Sequence, residues 1–273
     1  MSDIVLSAGV RSNLLQLQQT SDLINQTENR LASGKKVNSA LDNAINFFTA
    51  QGLDTRANSL NGLLDSMSSG INTIQAANNG ITSITKLVQS AQALASQAQQ
   101  TSDTTTRASL ATQYGTLITQ ITQLAKDSGF NGVNLLGGNS LTITLNETGT
   151  SSVAVTAVDY TNATAGPLSL NAAAGNWASS ANITAASTDL SAALTSLQSE
   201  SQTLSASLST VQIRQDFTKA TINTLQSGSA ALTLADSNQE GANLLALQTR
   251  QQLSSTALSL AAQADQNVLR LFR

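Results

Sequence analysis

The chain has no histidine and no cysteine in 273 residues, so a Ser-His-Asp or Cys-His triad, a thiolate nucleophile, a zinc site of the usual N/S ligands and a disulfide are all excluded. Proline occurs once, aromatic residues make up 3% and charged residues 11%. The formal net charge of −3 leaves no basic footprint for DNA or RNA, and so few aromatics offer no row of stacking platforms, so nucleic acid is not an expected partner. No apolar run is long enough to span a bilayer, so a membrane is not expected either. Met1-Ser2-Asp3-Ile4 carries an acid where a secretory signal would be basic, so export, if it occurs, is expected to use no cleaved leader. What fills the chain is Ala, Ser, Thr, Gln, Asn and Leu, a polar composition with little charge. At 28.2 kDa there is enough of it to bury a core.

Periodicity supplies the fold class. Val10, Leu14, Leu17, Ser21, Ile24, Glu28 and Leu31 alternate steps of four and three, the heptad pattern of a coiled-coil seam. Ser33-Gly34-Lys35 closes that helix, with Gly suited to a left-handed cap and cations near the negative helix end. A second helix reads Leu60, Leu64, Met67, Ile71, Ile74, Asn78, Ile81, Thr85, Val88, Gln92, Ala95, and a third Leu110, Tyr114, Leu117, Ile121, Leu124. Leu190 to Leu225 repeats the pattern, Gly228 marks a break, and a last helix from about Asn243 carries Leu244, Leu247, Gln251, Ser254, Leu258, Ala261, Asp265, Val268 and Phe272 on one seam. A second stripe, Leu253, Ala257, Leu260, Ala264, Asn267 and Leu271, runs beside it, so this helix wants neighbours on more than one side.

Between helices, Leu141 to Leu145 and Val153 to Ala157 alternate with period two around a turn, the pattern of a β-hairpin. The expected architecture is mostly α: an elongated, nested coiled-coil rod with paired terminal helices and a small hairpin insertion at about 138–180. Residues 1–40 and 235–273 would form the terminal pair and 41–234 the rod. Isolated helices of that size are marginal in water, so the pair is expected to be poorly ordered until other copies cover it. The seam also carries polar residues, Ser21, Asn78, Gln92, Ser201 and Gln251, which either set register or face solvent.

The acids are scattered, and without an aromatic-lined cleft a carboxylate pair for glycoside chemistry is not expected. Ser33-Gly34-Lys35-Lys36 lacks both the upstream Gly and the Ser/Thr of a phosphate loop. No catalytic, cofactor or metal site emerges, and the chain does not read as an enzyme.

Several segments together resemble bacterial flagellin of the alpha-proteobacterial type. They are Leu31-Ala-Ser-Gly34-Lys-Lys-Val-Asn38-Ser-Ala40-Leu-Asp42-Asn, Gly70-Ile-Asn-Thr-Ile-Gln75-Ala-Ala-Asn-Asn-Gly80, Phe130-Asn-Gly-Val-Asn-Leu135-Leu and Ala235-Asp-Ser-Asn-Gln-Glu240-Gly-Ala-Asn-Leu-Leu. The resemblance implies a secreted, self-polymerising subunit of the flagellar filament, a structural protein for swimming motility, with a hook–filament junction protein as the alternative. It implies inner-tube packing through Val10, Leu14, Leu17, Ile24, Leu31, Leu244, Leu247, Leu258, Ala261, Val268 and Phe272, and an export chaperone on Leu253, Leu260 and Leu271. Further implied partners are sibling flagellins, the flagellar type III export apparatus, and the filament cap and hook-junction proteins. Thr142, Thr144, Thr148, Thr150, Ser151, Ser152, Thr161 and Thr164 are expected to face outward and to be open to O-glycosylation. Gln92 and Ala93 stand where enterobacterial flagellins carry an Arg-Glu pair, which implies weak recognition by the innate-immune receptor. Only about sixty residues separate Phe130 from Leu190, too few for the outer domains of larger flagellins.

Overall fold

The structure, a computed structural model, describes residues 8–271, with the side chains of 265 and 268–271 left out. The described chain is mostly α, with five α-helices and a two-stranded antiparallel sheet. The helices are α1 (Ala8–Ser33), α2 (Ala44–Gln100), α3 (Thr104–Asp127), α4 (Ser180–Thr233) and α5 (Ser237–Leu271), and the strands are β1 (Leu141–Thr144) and β2 (Ser152–Val155). By contacts the chain divides into two compact units, Met1–Thr55 with Thr224–Arg273, and Arg56–Asn223.

Local chemistry explains the helix ends. Gly34 takes φ 67, a left-handed conformation that costs glycine nothing, and stops α1. Asn43 accepts the backbone N–H of Asn46 at 2.9 Å and caps α2, and Asp103 does the same for α3 through Thr106 at 2.8 Å. Asp42 ties the segment before α2 by accepting the N–H groups of Asn38 and Ser39, and those bonds hold its carboxyl below the usual range. Two expected boundaries differ. α2 begins at Ala44, well before Leu60, and α4 runs through Gly228 to Thr233, so that α5 starts at Ser237. A lone glycine lowers helix propensity by only about 1 kcal/mol, which tertiary packing outweighs here.

In α1, α2 and α4 the seam is offset in one consistent way. One row of each expected stripe lies inside: Val10, Leu17, Ile24 and Leu31 in α1, Met67, Ile74, Ile81, Val88 and Ala95 in α2. The companion row is the residue before the one expected. Thr20 and Thr27 are buried where Ser21 and Glu28 stood on the expected stripe, and Gly70, Ala77, Ile84 and Ala91 replace Ile71, Asn78, Thr85 and Gln92. At the start of α4 Ala193 likewise takes the place of Leu194 between the expected Leu190 and Leu197, with Ile183 and Ala186 buried before them, while Ile222 further along is buried as expected. The preferred rows are rich in small residues, which allow helix backbones to approach closely. In α5 the expected seam is the observed one, with Leu244, Leu247, Gln251, Ser254, Leu258 and Ala261 half-buried.

Within the Arg56–Asn223 unit, the core joins α2, α3, the sheet and α4. Strand pairing sets Leu141 opposite Val155 and Ile143 opposite Val153. Ile143 seats on α2 at Gly70, where an added Cβ would lie 2.7 Å from Ile143 Cγ1. Asn146 holds the hairpin turn, donating from Nδ2 to the hydroxyls of Thr148 and Thr150 at 2.9 and 2.7 Å and accepting from the Ser151 N–H. The segment that follows the hairpin contributes fully buried anchors at Tyr160, Leu168, Leu170 and Trp177. Trp177 packs on Tyr114 with ring centroids 5.0 Å apart, and burial pushes the Tyr114 hydroxyl up to about 12. Arg107, itself buried, donates to the carbonyls of Ala98, Thr101 and Ala178 and to the Ser180 hydroxyl, fastening the end of α2 to the start of α4.

Polar pairs link α2 and α4. Ser201 donates to Asn78 at 2.8 Å, and glutamine amides bridge Gln215 to Ser68, Gln92 to Ser191 and Gln99 to Thr184. The three glutamine bridges share one antiparallel register: from Ser68 to Gln92 is 24 residues on, and from Gln215 to Ser191 is 24 back. Asn78, Gln92 and Ser201 therefore serve register rather than facing solvent alone.

Candidate assembly interface

In the unit that holds both termini, α1 packs along α5. The two are joined at their connected ends. Lys36 and Val37 donate backbone N–H groups to the Thr233 carbonyl, and Ala235 donates to the Gly34 carbonyl. Arg30 pairs with Glu240 at 3.3 Å, and Glu240 is buried. The buried Arg30 Nε has no hydrogen-bond partner, so this half-buried ion pair is incompletely satisfied in the single chain.

The pairing uses only one face of each helix. Val10 and Ile24 are buried and Leu17 and Leu31 half-buried, but Leu14, expected inside, is exposed, as are Leu15 and Leu23. On α5, Leu253 and Leu260 are 68% and 62% exposed and Leu245 is similar. Leu41, Ile45 and Phe48, around the start of α2, are exposed as well. Val268, Leu271 and Phe272 lie outside the residues whose side chains are described. This unit thus presents leucine-rich surface on both members of a two-helix pair, beside an open groove of about 1210 Å³ between α1 and the 35–42 segment. Contiguous exposed apolar surface of this kind marks an interaction site. Among the described residues no group of three or more acids gathers as a metal site, and no helix is long and apolar enough to cross a membrane.

Comparison with known proteins matches the model of the bacterial flagellin N-terminal helical region over residues 8–140. The chain is 32% identical to flagellin FljM of Caulobacter vibrioides, over 100% of this chain and 99% of that one. The chain belongs to the bacterial flagellin family. It is also 28% identical to the flagellin of Brucella melitensis, with both chains covered in full. The crystal structure of Bacillus cereus flagellin aligns with a TM-score of 0.47 at 21% identity, over 57% of this chain and 88% of that one.

Flagellins are structural proteins, and this flagellin is a filament subunit. The hydroxyls expected on its outer surface differ in setting. Thr142, Thr148, Thr150, Ser152 and Thr164 are exposed, whereas Thr144, Ser151 and Thr161 are half-buried. Thr161 donates to Asp159 at 2.6 Å and Thr164 to Asn162 at 2.9 Å, so both hydroxyls are engaged. Sequence periodicity missed Arg107 and Trp177, since a single Arg and a single Trp produce no repeat. It also missed Arg30–Glu240, whose partners stand 210 residues apart.

Proposed function

We propose that this flagellin polymerises through its terminal helices, burying Leu14, Leu15 and Leu23 of α1 and Leu245, Leu253 and Leu260 of α5 against other copies in the extracellular filament. The supporting observation is that a pair built on one seam leaves large leucines on the remaining faces of both helices. The seam positions Val10, Leu17, Ile24, Leu31, Leu244, Leu247, Leu258 and Ala261 hold the pair together, and the sequence continues the heptad spacing to Val268 and Phe272, outside the residues whose side chains are described. The contacts are heterologous, so the polymer grows without closing. Before export through the flagellar type III apparatus, a chaperone covers the Leu253, Leu260 and Leu271 stripe; sibling flagellins, the cap and the hook-junction proteins meet the same ends.

Purified subunit mixed with sheared filament fragments should elongate them above a critical concentration. A chain that never elongates any seed, yet caps hook ends, would be a hook–filament junction protein instead. The exposed hydroxyls Thr142 and Ser152 are the most accessible acceptors for O-linked sugar; Thr148, Thr150 and Thr164 are exposed but hydrogen-bonded, and Thr144, Ser151 and Thr161 are half-buried. Filament subunits from the native cell should then weigh more than the bare polypeptide, and an intact mass equal to it removes that assignment.

A further inference from the structure

The sequence contains three Asn-Gly pairs, Asn61-Gly62, Asn79-Gly80 and Asn131-Gly132. In such a pair the glycine nitrogen can attack the asparagine side-chain carbonyl, because no following side chain crowds the approach. The fold treats the three differently. The first two lie inside α2, where each glycine N–H is committed to the carbonyl four residues back and helical torsions turn it away from the side chain. Asn79-Gly80 is further enclosed: a Cβ at Gly80 would lie 2.6 Å from Ser128 Cβ and 2.9 Å from Leu136 Cδ1.

Asn131 and Gly132 are instead the two central residues of a tight turn, with φ of 48 and 80. The turn is closed by two bonds only, Phe130 N–H to Val133 O at 2.9 Å and Val133 N–H to Phe130 O at 3.0 Å. Neither uses the Gly132 N–H. Both residues are exposed, and nothing lies within 4 Å of a Cβ built at Gly132, so ring closure has room and water has access. Reaching the reactive geometry disturbs a short local turn rather than a helix.

We infer that Asn131 is a site of spontaneous modification, with water as the co-reactant. A bond forms between the Gly132 nitrogen and Asn131 Cγ, the Cγ–Nδ2 bond breaks, and Nδ2 leaves as ammonia with the proton given up by Gly132. Water then adds to either carbonyl of the cyclic imide, opening it to an aspartate or an isoaspartate at position 131. Either product adds one negative charge to a depression that Asn131 shares with Asp65, Ser69 and Asn72. The isoaspartate also lengthens the backbone by one carbon, which a two-residue turn cannot absorb without losing a bond.

The test incubates the free full-length subunit at mildly alkaline pH, folded and in strong urea, and follows each site by peptide mass. Trypsin leaves 127–214 as one piece, since no Lys or Arg interrupts it, so cleavage before aspartate is used. Isoaspartate is scored separately by enzymatic methylation. Folded protein should convert Asn131 at least about tenfold faster than Asn61 or Asn79, because the helical sites react only through local opening, and urea should bring the three rates together. Asn131→Gln should abolish the methylation signal from folded protein without altering its helical signal. Equal rates at the three sites in folded protein, or a folded-state rate at Asn131 below those in α2, overturns the inference. The readout is on the free subunit and does not depend on polymerisation.

Discussion

A subunit carrying both Leu253→Asp and Leu260→Asp should remain unpolymerised beside seeds that the parent chain elongates, while its own folding changes little. Both leucines are largely exposed in the single chain, so the folded subunit loses almost no apolar burial. The cost there is mainly the poorer helix propensity of Asp, about 0.5 kcal/mol per site. In the polymer the balance is different. Burying two leucines contributes about 3–6 kcal/mol, and two unpaired carboxylates on a covered face add a desolvation penalty of the opposite sign. Losing the leucine contribution alone raises the critical concentration by more than about 100-fold at 1.4 kcal/mol per decade. Sedimentation of seeded reactions across a concentration series measures it, with circular dichroism melts as the folding control. Filament growth at the parent chain's critical concentration would show that this stripe is not a polymer contact.

Trp177→Ala should destabilise the Arg56–Asn223 unit by about 3–5 kcal/mol. Trp177 is fully buried, packed at a tilt against Tyr114, and precedes the Ala178 carbonyl and Ser180 hydroxyl that Arg107 holds. Removing it empties the volume on which that anchoring rests. Trp177→Phe gives the informative contrast. The indole Nε1 has no hydrogen-bond partner in the structure, so its loss removes a buried, unsatisfied donor along with some apolar area. The net cost should be about 1–2 kcal/mol, well below that of alanine. Urea titrations followed by circular dichroism compare the three chains, since the only tryptophan is the residue replaced. A phenylalanine variant as unstable as the alanine one would mean that the indole N–H makes a bond the structure does not contain.

Helix and hairpin were readable because each has a period, and the period survives single exceptions. Which flank of a helix turns inward was not readable in α1, α2 and α4. Residues three after and four after each member of a central row both look like seam partners, and weighing them by size favours Leu14 and Ile71 over Asn13 and Gly70. Packing inverts that preference, because Ile143 needs the space that Gly70 leaves. The leucines so displaced from the pair, Leu14 above all, are those now proposed as polymer contacts. Polar cross-links were half legible: Asn78, Gln92, Ser201 and Gln215 stood on the expected seam, whereas Ser68, Gln99, Thr184 and Ser191 read as ordinary surface. Arg107 and Trp177 act through long-range closure, which leaves no local pattern.

Along these helices, serine and threonine hydroxyls repeatedly donate to the carbonyl four residues back, as at Thr20, Ser68, Thr82, Ser83, Ser90, Ser96, Thr112, Thr119, Thr188 and Thr195. A hydroxyl engaged in this way brings its own acceptor with it, and a neighbouring molecule that displaces the surrounding water strands no donor. Coatings of this kind need no atom-by-atom polar match across a contact. Two such surfaces can slip past each other by a fraction of a helical turn without breaking a bond between them, which lets a stiff fibre bend and recover.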